Sequence, residues 1–199
     1  SHFAVSVQSE SKKNGIELSL SSKLRNGTIY YTLDGSTPNE NSKKYTKPFI
    51  IKSDVVLQAV VYKDGKKFSP LLKTDYHINK ATGKKYEMSD INPQYSSTGK
   101  YPLTDGICGN KKSYDSWVGT YGKDYNVVLD LEKPTEINSI GINFMDEQGS
   151  WIFLPKEVKM YVSNDKQSWQ QISNVEQTRL KDNASVVNYR ANCKQKARY

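Results

Sequence analysis

The sequence has few cysteines and histidines, and it has no long apolar run. Cys108, Cys193, His2 and His77 are the only such residues in 199, and no CxxC spacing occurs among them. A zinc centre is therefore not expected. No apolar run approaches the roughly 20 residues that cross a bilayer, which predicts no membrane span. The chain also starts without a charged and then apolar leader, so we expect a mature protein or an excised fragment.

The motifs of common catalytic sites are missing as well. There is no Gly-x-Ser-x-Gly elbow, no glycine-rich phosphate loop and no HExxH. His77 lies in a strand-like segment, where we expect a surface or packed role rather than proton transfer. The separation of Cys108 and Cys193 leaves two alternatives open: a disulfide that closes a long loop, or two unpaired thiols.

Arginine is scarce although the chain is basic. The formal net charge is +8 at pH 7, but only four of the 29 basic residues are Arg. Arg is the residue that binds phosphate or guanine through two parallel hydrogen bonds. The Lys pairs fall in polar, turn-like stretches spread along the sequence, at positions 12–13, 43–44, 66–67, 84–85 and 111–112. We therefore expect a solvated basic surface and no nucleic-acid partner.

Short strand patterns fill the first 79 residues. Ile16, Leu18 and Leu20 alternate with polar residues, as in a half-buried strand, and residues 55–62 are apolar on both sides, as in a central strand. Asp-Gly at 64–65 is typical of a hairpin turn. Without helical periodicity, these patterns predict an antiparallel sandwich of the fibronectin type III or immunoglobulin kind over residues 1–79.

Residues 80–94 are predicted to be a linker, and residues 95–199 a second β module. The linker begins with a polar stretch that contains Gly and lacks periodicity. Strand patterns return at 127–131, 137–144, 157–163, 170–172 and 185–191. The predicted fold class is all-β, with two antiparallel β-sandwich modules.

The first module resembles a known accessory sandwich. Residues 30–38, Tyr-Tyr-Thr-Leu-Asp-Gly-Ser-Thr-Pro, pass from a β-rich stretch into an Asp-Gly turn and a Pro, which we interpret as a hairpin corner. Together with the stretches 47–51 and 55–62, they resemble the small β-sandwich that follows the catalytic barrel in chitobiases and other bacterial β-hexosaminidases. The resemblance implies an accessory piece of a larger glycosidase.

The second module resembles the discoidin, or coagulation factor C-type, domain that bacteria use as a family 32 carbohydrate-binding module. The similar residues are Asp-Gly at 105–106, Trp117, the stretch 127–131, the turn 162–165 with Trp169, and Ala-Arg-Tyr at 197–199. Gly-Ser-Trp-Ile-Phe-Leu-Pro at 149–155 resembles the version at the carboxyl end of Bacteroidetes family 20 β-hexosaminidases. The resemblance implies a jelly roll whose last strand continues past residue 199, so we expect a truncated module.

The two resemblances imply a non-catalytic role beside an enzyme. We expect the second module to bind amino-sugar or galactose-containing glycans, with both modules on the catalytic barrel of one periplasmic or extracellular bacterial parent chain. One alternative is purely structural bracing without bound sugar, and another is Lys-driven adhesion to anionic polysaccharide. Family 20 enzymes use an adjacent Asp-Glu pair, but Asp146-Glu147 follows a β stretch rather than a barrel strand. We interpret this pair as a solvated loop.

Aromatic residues are the candidates for sugar binding. A pyranose presents C–H patches ringed by hydroxyls, so its site needs a flat apolar face beside hydrogen-bonding groups. Trp151 is the first candidate, with the alternative that Trp-Ile-Phe-Leu packs as a plug against the sandwich. Tyr121 is the second candidate. Trp117 and Trp169 match positions that the resemblance places in the core.

Asp105 is the metal candidate. The resemblance implies a structural calcium ion held by loop carbonyl oxygens and a carboxylate near the Asp-Gly position, which Asp105 matches. Calcium takes about six to eight oxygens, and Ser113, Asp115 and Ser116 are the potential helpers. The alternative is that Asp105 caps a turn. We expect no other cofactor.

Overall fold

The computed structural model describes residues 3–12, 15–97, 101–109, 114–176 and 185–199. These residues form 14 β-strands and four short 3₁₀ helices, with no α-helix among them, which confirms the all-β fold class. They divide into two compact units, the first made of residues 1–83 and 103–108 and the second of residues 84–102 and 109–199. No helix in the described ranges is long and apolar enough to span a membrane.

The first unit is a sandwich of two antiparallel sheets. One sheet has the order β1-β2-β5, and the other has the order β4-β3-β6-β7, with β8 also paired to β6. The β6–β7 hairpin turns at Asp64 and Gly65, whose φ angles are 50° and 70°. Asp-Gly suits this turn because both central residues need a positive φ. The strands are β1 Ser6–Lys12, β2 Gly15–Ser21, β3 Thr28–Thr32, β4 Lys43–Lys44, β5 Phe49–Ile51, β6 Val55–Lys63, β7 Lys66–Lys67 and β8 Leu72–Tyr76.

The core of the first unit comes from the alternating faces of its strands. Ile16, Leu18 and Leu20 of β2 pack in one cluster with Leu57 and Val61 of β6. Ile16 and Leu18 are completely buried. Because successive side chains of a strand point to opposite faces, the alternation in the sequence is enough to put this set inside.

The Asp-Gly stretch after β3 is more than a simple hairpin corner. β3 pairs with β4, and the connection 33–42 between them contacts the neighbouring strand β6. The Gly35 N–H donates to the Val56 carbonyl at 3.0 Å, and the Asp34 carboxylate accepts from the Ser36 N–H at 3.0 Å. The first of these hydrogen bonds holds the stretch against β6, and the second stabilises the turn from within.

Residues 103–108, which we call the docked segment, pack within the first unit. The His77 N–H donates to the Gly106 carbonyl and the Gly83 N–H donates to the Thr104 carbonyl, both at 2.7 Å. Gly106 has a φ of 79°, and a Cβ at this position would overlap Cδ1 of the buried Ile16. Glycine is therefore required here for both its backbone angle and the close approach.

The second unit is built from three antiparallel strand pairs. β9 pairs with β10, β11 with β14, and β12 with β13. β9 falls inside residues 80–94, which the sequence predicts as a linker. The 3₁₀ helices of the chain are Pro93–Tyr95, Pro102–Thr104, Tyr114–Ser116 and Gln148–Ser150, and the strands of this unit are β9 Tyr86–Met88, β10 Val127–Leu129, β11 Thr135–Asp146, β12 Glu157–Val162, β13 Gln170–Glu176 and β14 Ser185–Ala197.

One apolar cluster joins the strands of the second unit. Met160 of β12 packs with Tyr189 and Ala191 of β14 and with Leu154, which precedes β12. Phe144 of β11 contacts Tyr189 edge to face, with 5.2 Å between the ring centroids. The cluster therefore lies between the β11–β14 and β12–β13 pairs.

No disulfide joins Cys108 and Cys193 in this structure. Cys108 is exposed, and Cys193 is half-buried. The Cys193 thiol donates a weak hydrogen bond to the Ile137 carbonyl at 3.6 Å. Of the two alternatives that the sequence leaves open, the structure has the one without a disulfide.

Candidate functional site

A closed loop connects β11 to β12 and carries the first sugar-binding candidate. Glu147 and Ile152 exchange two backbone hydrogen bonds, at 3.0 and 3.1 Å. The 3₁₀ helix Gln148–Ser150 fills the loop between them, and Trp151 ends that helix. We call residues 147–153 the Trp151 loop. Its stem is held by main-chain bonds, so its tip is presented from a defined base.

Side chains alternate between outward and inward positions after the loop tip. Trp151 is 84% exposed and Phe153 is 59% exposed, whereas Leu154 is buried in the core cluster. The rings of Trp151 and Phe153 contact each other edge to face at 6.4 Å. Leu154 thus closes the end of the core, and the two aromatic rings form an apolar surface in solvent.

The backbone of Trp151 is in the left-handed region. Its φ is 59° and its ψ is 30°. For a residue with a Cβ this conformation costs about 1–2 kcal/mol. Such strain persists only where the surrounding structure imposes it, and it is concentrated at ligand-binding sites. An exposed Trp at a strained position is consistent with selection for ligand contact.

Tyr114 adds polar groups beside the loop. Its hydroxyl donates to Glu147 Oε2 at 2.5 Å and lies 3.4 Å from Ser150 Oγ. This constellation was not predicted from the sequence, because Tyr114 lies far from the loop in the chain and no local pattern marks it. Phe153 was visible in the sequence only as part of the apolar stretch. Together these residues place a carboxylate and two hydroxyls next to an exposed aromatic surface.

The Asp146-Glu147 pair is not the solvated loop that we expected. Asp146 is the last residue of β11 and is only 7% exposed. Its Oδ1 has no hydrogen-bond partner among the described residues. It is buried because it follows Ile142 and Phe144 on the core-facing side of β11. Glu147 lies beyond the end of β11, where its Oε2 accepts from the Tyr114 hydroxyl, so the two carboxyls have different surroundings: one is buried, and the other is bonded at the loop.

Tyr121 lies at the tip of a second loop. It is 84% exposed, and Gly119 and Gly122 flank it. The stem of this loop is held by two hydrogen bonds, from the Gly119 N–H to the Tyr95 carbonyl at 2.8 Å and from the Asn92 N–H to the Gly119 carbonyl at 3.0 Å. Within the described part of the chain, no ring contact or hydrogen bond joins Tyr121 to Trp151. The two candidates are both solvent-facing, but the structure does not bring their rings into contact.

The remaining tryptophans differ from each other. Trp117 is half-buried, and a Cβ at Gly109 would overlap its ring. Trp169, which the resemblance places in the core, is 39% exposed. Its indole N–H donates to the Lys166 carbonyl at 3.2 Å, within the turn that precedes β13. The expectation of a core position is wrong for Trp169, because this hydrogen bond holds the ring beside its own turn.

Asp105 lies in the docked segment of the first unit. Its Oδ1 accepts from the Ile107 N–H at 2.8 Å, which is the turn-capping alternative. Burial raises the pKa of its carboxyl to about 6. Of the helpers expected from the sequence, Asp115 and Ser116 belong to the second unit, and Ser113 lies outside the described residues. In the described ranges, no three His, Cys, Asp or Glu side chains are grouped so that they could hold a metal ion. The side chains described around Asp105 therefore do not fit a calcium site by themselves, and calcium binding stays a prediction.

The fold is that of a two-unit β protein in which the second unit carries an aromatic loop at one end of its core. The Fn3 associated family model matches residues 17–76, and the F5/8 type C domain model matches residues 87–199. Because the second match covers more than half of the chain, the chain belongs to the F5/8 type C domain family. This confirms the discoidin resemblance. No curated protein matches the chain.

The two matches define the general class of function. F5/8 type C domains are carbohydrate-binding-like modules and are typically extracellular, and both kinds of domain are generally non-catalytic. The hexosaminidase parent and the Bacteroidetes origin are not part of either match, so they stay predictions.

Proposed function

We propose that this chain is a non-catalytic, carbohydrate-binding part of a larger glycosidase, and that the Trp151 loop binds the sugar. The observation that carries the proposal is the 84% exposed indole of Trp151 on a left-handed backbone at the tip of a closed loop. An indole face attracts the C–H patch of a pyranose, because burying the two apolar surfaces releases water from both.

The polar groups beside Trp151 suit the hydroxyls of the same sugar. The Glu147 carboxylate accepts from Tyr114, and it retains further acceptor sites for a sugar hydroxyl. The Tyr114 and Ser150 hydroxyls donate and accept on the same side of the loop. One ring stack with two or three hydrogen bonds supports weak binding, with a Kd of about 1 mM for a single sugar ring.

The wider context of the proposal comes from the order of the two modules. A sandwich followed by an F5/8 type C domain, with the stretch 149–155, supports a β-N-acetylhexosaminidase of the chitobiase type as the parent. The glycan is then an amino-sugar or galactose-containing chain outside the cytoplasm. A tethered binding module of this kind raises the effective concentration of substrate near the catalytic barrel. Tyr121 is the second proposed contact residue.

Titration of the chain with N-acetylglucosamine, chitobiose and methyl galactoside tests the proposal. We expect saturable binding of at least one sugar by calorimetry, and at least a tenfold loss in affinity for Trp151→Ala. Phe68→Ala is the matched control, because Phe68 is an exposed aromatic residue of the first unit, and it leaves the affinity unchanged. Binding that survives Trp151→Ala, or no binding of any of the three sugars, refutes the proposal.

Structural bracing is the second candidate function. The edge-to-face contact of Trp151 with Phe153 favours it, because this apolar surface also suits burial against another protein surface. Under this alternative, none of the three sugars binds, and Trp151→Ala weakens the association with the catalytic barrel instead.

A further inference from the structure

A polar cleft lies at the other end of β12 from the Trp151 loop. The Trp151 loop precedes β12, and the turn 163–169 follows it, so the length of the strand separates them. The cleft has a volume of about 440 Å³. We call it the Trp169 cleft, and the residues that line it include Asp165, Ser168, Trp169, Gln170, Gln195 and Lys196.

Trp169 is a fixed aromatic wall of this cleft. Its indole N–H is bonded to the Lys166 carbonyl, which restrains the rotation of the ring, while 39% of the residue stays exposed. The turn itself is tied by Asp165, whose Oδ1 accepts from the Gln167 and Ser168 N–H groups at 2.8 and 2.7 Å. These hydrogen bonds lower the pKa of Asp165 to about 2. The wall is therefore in place before any ligand arrives, which reduces the entropic cost of binding.

Two glutamine amides face the same cleft without internal partners. Gln170 begins β13, and Gln195 lies near the end of β14. Neither side-chain amide makes a hydrogen bond to another described residue, although both line the cleft. Each amide offers two N–H donors and one carbonyl acceptor. An aromatic residue and amides that line one cleft are the combination that a ring with C–H patches and hydroxyls requires.

The charges of the cleft favour a neutral ligand. The Asp165 carboxylate is occupied by its own turn, and Lys166 is paired with Glu87 at 2.7 Å. Lys196 also lines the cleft, and it has no ion pair among the described residues. A single solvated lysine supplies little affinity for an anion.

We propose that the Trp169 cleft is a second carbohydrate site, which takes one neutral pyranose ring. The indole of Trp169 stacks on the ring, and Gln170 and Gln195 bond its hydroxyls. This site is separate from the Trp151 loop and does not depend on binding there. Two weak sites at opposite ends of β12 let one chain hold two glycan segments, which multiplies the overall affinity when both segments belong to one polymer.

The test uses the whole chain labelled with ¹⁵N, in a Trp151→Ala background that removes the proposed first site. N-acetylglucosamine and methyl galactoside are the probes, and the indole N–H of Trp169 and the side-chain amides of Gln170 and Gln195 are the signals. We expect saturable shifts of these signals with at least one probe. Replacing both Gln170 and Gln195 with Ala weakens this binding by tenfold or more, since each lost hydrogen bond costs about a factor of five.

Gln171→Ala is the matched control, because Gln171 is an exposed neighbour on β13 that does not line the cleft. It leaves the affinity unchanged. The other backbone resonances report whether each variant is folded, so a loss of binding is separable from unfolding. No shift at Trp169 with either probe overturns the proposal, and so does a shift that the double Gln variant leaves intact. If Trp151→Ala alone abolishes the Trp169 shift, the chain has one site and the proposal fails while the proposed function stands.

Discussion

Replacing Asp105 with Asn tests the electrostatics of the docked segment. Asn keeps a side-chain oxygen that accepts from the Ile107 N–H, but it removes the ionisable group. The carboxyl has a pKa of about 6 in the folded chain, against an ordinary value of 3.8. The difference of about 2 pKa units corresponds to roughly 3 kcal/mol, since each unit is worth about 1.4 kcal/mol.

The sign of the effect follows from proton binding. A raised carboxyl pKa means that the folded state holds its proton at pH values where the unfolded state has lost it. The contribution of Asp105 to stability is therefore fully present below about pH 4 and is lost as the pH rises through about 6. Near pH 7, the Asp105→Asn variant is expected to be more stable than the unmodified chain by up to roughly 3 kcal/mol. At pH 4 the two are expected to be nearly equal.

Amide hydrogen exchange in the centre of β6 measures this difference, because β6 belongs to the first unit. Tryptophan fluorescence is unsuitable, since Trp117, Trp151 and Trp169 all lie in the second unit. Equal protection of the two chains at pH 7, or an Asn variant that is less protected there, would refute the argument. Adding calcium separates the two roles of Asp105: an ion bound to its carboxylate would raise the protection of the unmodified chain and not of the variant.

Three further substitutions test other features. Gly106→Ala is expected to lower the stability of the first unit by about 1–3 kcal/mol, because a Cβ would overlap Ile16 and the φ of residue 106 is positive. Amide hydrogen exchange in β6 measures this loss, and unchanged exchange would contradict the expectation. Leu154→Ala is expected to lower the unfolding free energy of the second unit by about 2–4 kcal/mol, because it leaves a cavity at a buried position. Urea unfolding followed by tryptophan fluorescence measures this loss. A loss under about 1 kcal/mol would show that Leu154 does not close the core. Trp151→Gly is expected to abolish sugar binding. The unfolding free energy is expected to stay the same or to rise by up to about 1 kcal/mol, because glycine relieves the left-handed strain. A clear loss of stability would mean that the exposed ring supports the fold.

Local patterns were sufficient for several strands, but not for β9, which lies in the segment predicted as a linker. The alternation at Ile16, Leu18 and Leu20 predicted β2, and Asp64-Gly65 predicted the β6–β7 turn, because a strand face and a two-residue turn depend on neighbouring residues only. The same holds for β12, whose alternating residues 157–163 correspond to Glu157–Val162.

Long-range packing could not be predicted from local sequence patterns. The docked segment carries Asp105 and Gly106 into the first unit, although they fall between strands of the second, and no local pattern marks that placement. Tyr114 reaches Glu147 across 33 positions. Trp169 was expected in the core because it matches a core position of the family that the module resembles, but its indole N–H bonds the Lys166 carbonyl and the residue is 39% exposed.

The docked segment has a consequence for dissecting the protein. The chain crosses between the two units at 83/84, at 102/103 and at 108/109. One protease cut within 84–102 therefore separates residues 1–83 from the docked segment, which stays covalently attached to the second unit. A recombinant piece ending at residue 83 would leave Ile16 and Tyr76 without the backbone that covers them. Supplying residues 103–108 as a separate synthetic peptide should then restore that piece by complementation, as a missing strand is restored in split proteins.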